Sequence, residues 1–133
     1  MSLIKYLFIL FAMLFCHLLD DYKLQGILAN MKQCDWWREN APQSLYENDY
    51  KMALIEHAFS WSFSISIPLV VVAFVQHNDT LLAFCIGDYF VNTILHAFID
   101  DLKANKHKIN LIQDQFLHFI QIVSMWLIAC FLI

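Results

Sequence analysis

Four long apolar stretches separated by polar segments organise the chain: Leu3–Leu19, Ala53–Val75, Leu81–Phe98 and Leu111–Ile133. Each approaches the roughly 20 residues that carry a helix across ~30 Å of hydrocarbon. Lipid offers no partner to an open backbone, so such spans must be helical. The pattern predicts helices over about 3–29, 51–75, 80–103 and 110–133. Residues 1–133 then form a single membrane domain, an all-α polytopic membrane protein built as a four-transmembrane-helix bundle. Pro68 offers a kink point in the second span. Lys5 followed by an apolar run has the outline of a signal peptide, but no small-residue cleavage pattern follows, so the first span is expected to be a retained anchor.

The connectors set direction. Segment 31–50 mixes Trp36, Trp37, Tyr46 and Tyr50 with charges, as expected of an interfacial connector at headgroup level. Gln76–Thr80 is a tight polar turn and Asp101–Asn110 a short, lysine-rich link. With helices alternating in direction, Lys23, Lys32, Arg38, Lys51, Lys103, Lys106 and Lys108 fall on the side of the long connector, and only Lys5 on the other. The positive-inside rule makes the connector side cytoplasmic, with both termini away from the cytoplasm.

Composition sharpens the class. Of 133 residues, 60% are hydrophobic and 15% charged, and mean hydropathy is +0.55. A soluble domain is usually about a quarter charged. The balance argues against a soluble globule, a disordered chain and a disulfide scaffold. A net charge of −4 without an isolated basic cluster argues against nucleic acid as a partner. Cys16, Cys34, Cys85 and Cys130 form no CxxC, and read as small hydrophobes. Twelve phenylalanines supply apolar surface for the lipid bilayer or for a second copy in a homo-oligomer.

Against this background the polar residues inside the spans stand out. His17, Asp21 and Gln25 are spaced four apart and share a helix face. His57 opens the second span, beside Glu56. Asp88, Asn92, His96 and Asp100 form a stripe on the third, with Lys103 one turn on, and Asp114 and His118 repeat the spacing on the fourth, near Gln115 and Gln121. Alternating helix direction brings all four histidines to a similar depth near the connector side. Charged groups in a bilayer helix are costly, about 2.5–3.5 kcal/mol each on insertion scales, and normally face the bundle interior. Convergent imidazoles and carboxylates make a plausible shell for a divalent metal ion: zinc or iron by the imidazoles, manganese by the added carboxylates. The candidate ligands are His17, Asp21, His57, His96, Asp100, Asp114 and His118, with Gln25, Asn92 and Gln115 as groups that orient them. The alternative is a polar network that only fixes helix packing. His77 and His107 lie in connectors and read as solvated, and Asp88 as a buried hydrogen-bonded group.

The motifs His17-Leu-Leu-Asp20-Asp21-Tyr22-Lys23-Leu24-Gln25, lone His57, His96-x-x-x-Asp100-x-x-Lys103 and Asp114-Gln115-x-x-His118 resemble, in order, those of a family of small polytopic bacterial and phage membrane proteins of unknown function. Asp20 departs from that pattern, standing where the family usually has glycine. The resemblance implies a polytopic membrane protein and no settled activity. The motifs are also similar in style to those of predicted membrane-bound metal-dependent hydrolases.

Four functions fit the sequence. In a metal-dependent hydrolase at the cytoplasmic membrane face, Asp100 or Asp20 would be the general base and Lys103 would meet a substrate phosphate. Its substrate would be amphiphilic, lipid-like or phosphate-containing. A non-enzymatic, phage-type accessory binding a membrane partner is the main alternative. A metal or proton translocator would use the Asp88–Asp100 stripe as its path. A haem protein would take two of the histidines as axial ligands.

Overall fold

The computed structural model describes residues 2–133. The chain is all-α: α1 (Leu3–Leu19), α2 (Leu28–Met31), α3 (Cys34–Asn40), α4 (Tyr50–Gln76), α5 (Asp79–Ala104) and α6 (Leu111–Leu132), with no strand among the described residues. Among the described residues, four helical segments are long and apolar enough to cross a membrane: Leu3–Leu24, Ser44–Gln76, Asp79–Ala104 and Leu111–Leu132. The protein is therefore an integral membrane four-helix bundle. Helix α1 packs on α4 and α6, and α5 packs on the same two, which closes a ring of four. Phe8, Phe63, Phe90 and Phe131 are exposed on the outer surface, as a lipid-facing wall requires.

Local chemistry explains the corners. His77 ends α4 in the left-handed region (φ 51°), and Asn78 caps α5 by accepting from the Leu81 N–H at 3.0 Å. The Asn78 amide also donates to the Leu132 carbonyl at 2.7 Å, which ties the α4–α5 hairpin to the end of α6. Asn110 and Gln113 form a reciprocal capping box that starts α6. Pro68 lies inside an unbroken α4.

One boundary differs from the sequence expectation. The first helix, expected to reach residue 29, leaves α geometry at Asp20, makes one π-helical turn over Asp20–Leu24 and stops. The stop has a local cause: Gly26 adopts φ 52°, a left-handed conformation that glycine takes without steric cost. The chain then turns into α2 and α3 at the connector end of the bundle. Asn105 latches this connector to the end of α5. Its side chain accepts from the Cys34 N–H at 2.7 Å and donates to the Lys32 carbonyl at 3.1 Å.

The interior splits along its length. Ile9, Met13, Ile65, Leu69, Leu81, Ile122 and Met125 form an apolar core toward the end that holds the α4–α5 turn. Trp61, fully buried, marks its lower boundary. Beyond Trp61, toward the connector, the interior is lined by histidine, aspartate and lysine. All four cysteines are free: Cys85 is buried and the others partly so.

Candidate metal centre

Helix periodicity delivers the centre. Each of the i, i+4 pairs His17/Asp21, His96/Asp100 and Asp114/His118 is buried, as is His57 on the facing α4. Three imidazoles converge: the Nε2 atoms of His57 and His96 are 3.2 Å apart. His57 Nε2 lies 3.3 Å from Asp21 Oδ1 and 3.5 Å from Asp100 Oδ2. His118 Nε2 lies 3.4 Å from both Asp100 Oδ1 and Asp114 Oδ1. Two overlapping groups, Asp21–His57–His96 and His96–Asp100–His118, bring ligand atoms close enough to hold an ion. Tetrahedral ligands at zinc bond lengths of about 2.0–2.1 Å sit about 3.3–3.4 Å from one another, so the spacing suits one cation.

Hydrogen-bond direction decides which atoms face the centre as acceptors. The Asn92 amide N–H donates to Asp88, leaving the Asn92 carbonyl oxygen to accept from Gln121 Nε2 at 3.0 Å. Gln121 Oε1 therefore faces His118 Nδ1, at 3.1 Å, and must accept its proton. In its neutral form His118 then presents the lone pair of Nε2 to two carboxylate oxygens. His118 Nε2, Asp100 Oδ1 and Asp114 Oδ1 are all buried without a hydrogen-bond partner. With neutral His118 the three acceptors repel unless a cation lies among them; an imidazolium would instead donate from Nε2 to the two carboxylates.

His17 is different. The Trp61 indole donates to its Nδ1 at 2.8 Å, so its proton sits on Nε2 and is given to Gln115 Oε1 at 3.1 Å. The Gln115 amide in turn donates to Asp21 Oδ2 at 2.8 Å and to Asp114 Oδ2 at 3.2 Å. Both nitrogens of His17 are thus engaged, and its geometry is that of a group which orients two carboxylates through Gln115. Asp20 is fully buried but accepts from Ser60 at 2.9 Å and Ser64 at 2.7 Å, on the α4 side. Gln25 donates to the Asp21 carbonyl, and Asn92 acts on His118 at one remove, through Gln121.

Two lysines close the centre on the connector side. Lys103 Nζ lies 2.5 Å from Asp114 Oδ2 and 4.0 Å from Asp100 Oδ1. Lys32 Nζ lies 2.5 Å from Asp100 Oδ2 and is itself buried. The three carboxylates Asp21, Asp100 and Asp114 thus outnumber the ammonium groups beside them by one.

Sequence reasoning missed three of these groups. Lys32 read as a connector lysine, and only its fold-back onto Asp100 reveals it. Trp61 read as one more apolar residue of the second span, yet its ring stacks on His96 at 4.1 Å, and His96 stacks on His118 at 4.1 Å. Gln121 was visible near the face of His118, at the i, i+3 spacing, but nothing in the sequence marked it as the group that sets the histidine's tautomer. The chain matches no protein-family model, no curated protein and no solved structure. The site is thus defined by its own geometry: buried His/Asp groups, inside a membrane bundle, that could hold a metal ion.

Proposed function

We propose that the protein is a membrane-embedded, metal-dependent hydrolase whose substrate is a phosphate-containing amphiphile. The observation that carries this reading is the set of unpartnered acceptors, His118 Nε2, Asp100 Oδ1 and Asp114 Oδ1, buried within the span. With neutral His118 all three lack a donor, and a divalent cation would meet them together. His57, His96 and His118, with Asp21, Asp100 and Asp114, would hold a divalent ion; zinc, manganese and iron all suit this donor set. When bound, such an ion lowers the pKa of a coordinated water toward ~7 and polarises the scissile bond. Asp100 or Asp114 would take the proton at Oδ2, the oxygen that pairs with Lys32 or Lys103, which would have to yield to it. Asp20 accepts both serine hydroxyls at Oδ2 and belongs to neither group of convergent ligands, so it suits that role less well. The lysine excess on the connector side argues for a cytoplasmic location of the site. The motif resemblance to small bacterial and phage membrane proteins agrees with an inner-membrane setting.

Elemental mass spectrometry on detergent-purified protein is the test, beside a His96→Ala, His118→Ala variant. One or two equivalents of transition metal in the parent, lost in a folded variant, together with hydrolysis of a phosphoester substrate, are the expected results. A parent that binds no metal after reconstitution would defeat the reading. Metal without turnover on any phosphoester or lipid substrate would favour the accessory protein.

A further inference from the structure

A cleft of about 350 Å³ opens at the connector end, lined by Gln25, Ala29, Lys32, Gln33, Lys103, Ala104 and His107. Its two ammonium groups are those that touch the centre, Lys32 on Asp100 and Lys103 on Asp114. The lysines thus stand between the cleft and the convergent carboxylates. Lys32 is only 6% exposed, an unusual burial for lysine outside an ion pair. Its position is built: α2 ends at Met31, and the Asn105 latch holds the Lys32 carbonyl.

We propose that this cleft binds a phosphate dianion on Lys32 and Lys103, and that it does so only when a divalent cation occupies the centre. The proposal rests on the metal-centre reading above. Without the cation, Asp21, Asp100 and Asp114 exceed the two lysines by one negative charge, and both ammonium groups are held by carboxylates. A divalent cation that takes Asp100 Oδ1, Asp114 Oδ1 and His118 Nε2 reverses the balance to one positive charge. The ammonium groups then share their carboxylates with the cation and gain capacity for a second anion. A lysine is a compact point charge suited to phosphate. Gln25 and Gln33 give one amide hydrogen each to the Asp21 and Ala29 carbonyls and keep a second for the cleft wall, and an incoming phosphate would rest one lysine away from the cation. Binding at the two sites is then coupled, and the coupling is reciprocal: phosphate tightens zinc as much as zinc tightens phosphate. The ligand chemistry is a phosphate monoester, carried by a lipid headgroup or by a soluble molecule.

The experiment uses full-length protein in detergent, metal-free or loaded with one equivalent of zinc and desalted, titrated with inorganic phosphate and followed by 31P NMR. Zinc content is measured separately, by elemental analysis. Phosphate is expected to bind at least about tenfold more tightly to the zinc form, within the usual range of coupling between linked sites. A Lys32→Met, Lys103→Met variant should keep its zinc and lose that gain, whereas Lys108→Met should keep both. Equal phosphate affinity with and without zinc overturns the proposal, and that comparison needs only the unaltered protein. Unchanged zinc-dependent binding in the double variant also overturns it. Absence of zinc from the loaded protein defeats the metal-centre reading itself, and with it this one. Competition by nanodiscs containing phosphatidic acid, but not phosphatidylcholine alone, identifies the lipid as the source; displacement only by soluble phosphate monoesters identifies the other.

Discussion

The two halves of this bundle are equally buried and chemically opposite. Toward the α4–α5 turn, Met13, Ile65, Leu69, Leu81 and Ile122 have no exposed surface. Toward the connector, His17, His57, His96, Asp114 and His118 have none either. In water the first set would account for folding and the second would be an anomaly. In lipid the surroundings are as apolar as the core, so burying leucine gains little beyond close packing. Burying aspartate there remains costly, and so does leaving its oxygens without partners. The polar half is therefore the more informative one. Helix association could have been achieved with the apolar half alone, continued down the bundle.

The comparison can be broken first at Asp100. Its carboxylate faces His57, His96 and His118, and it is the anion for Lys32. Asp100→Asn keeps the shape and removes the charge. Loss of stoichiometric metal is expected, along with destabilisation of about 3 kcal/mol, because Lys32 is left buried without its ion-pair partner. Elemental analysis and thermal unfolding in detergent read the two effects. Full metal occupancy in the folded variant would show that the ion lies elsewhere.

Leu69→Ala addresses the other half. Leu69 is fully buried in the apolar core, so the cavity should cost about 2 kcal/mol by equilibrium unfolding, the low end for such a change because lipid leaves only the packing loss. Metal affinity should stay unchanged, because Trp61 stands between that core and the histidines. A parallel fall in metal affinity would mean that the halves act as one unit and that the division at Trp61 is only geometric.

Much of this arrangement is legible without a structure, for a physical reason. Span lengths follow from the thickness of the hydrocarbon, and the period of 3.6 puts His96 with Asp100, and Asp114 with His118, on one face. Alternating helix direction then brings those faces to one depth. What the sequence hides depends on tertiary contact or on local backbone choice. The first helix ends at a π turn and Gly26, five residues before its apolar pattern suggests. Lys32 sits in a connector whose composition reads as interfacial, and only the Asn105 latch carries it inward. His17 and His118 look equivalent as sequence. Their difference lies in which neighbour reaches each nitrogen: an indole, which can only donate, for His17, and an amide oxygen, which can only accept, for His118.

That last difference gives the finest test. Gln121→Leu removes the acceptor at His118 Nδ1 and breaks the chain that runs from Asp88 through Asn92. The imidazole can then place its proton on Nε2 and donate to Asp100 or Asp114, which satisfies the orphaned oxygens at the expense of the lone pair. If His118 is a ligand, metal affinity should fall about 10–100-fold, the usual cost of losing a group that orients a metal-bound histidine. Stability without metal should hold or rise, because the variant relieves the repulsion among the three acceptors. Competition with a metal chelator measures the first effect and unfolding of the metal-free protein the second. These opposite signs separate a metal centre from a packing network, where losing Gln121 would cost stability and nothing else. A Gln121→Leu protein that is less stable and binds metal as tightly as the parent would place His118 in the network, with His17.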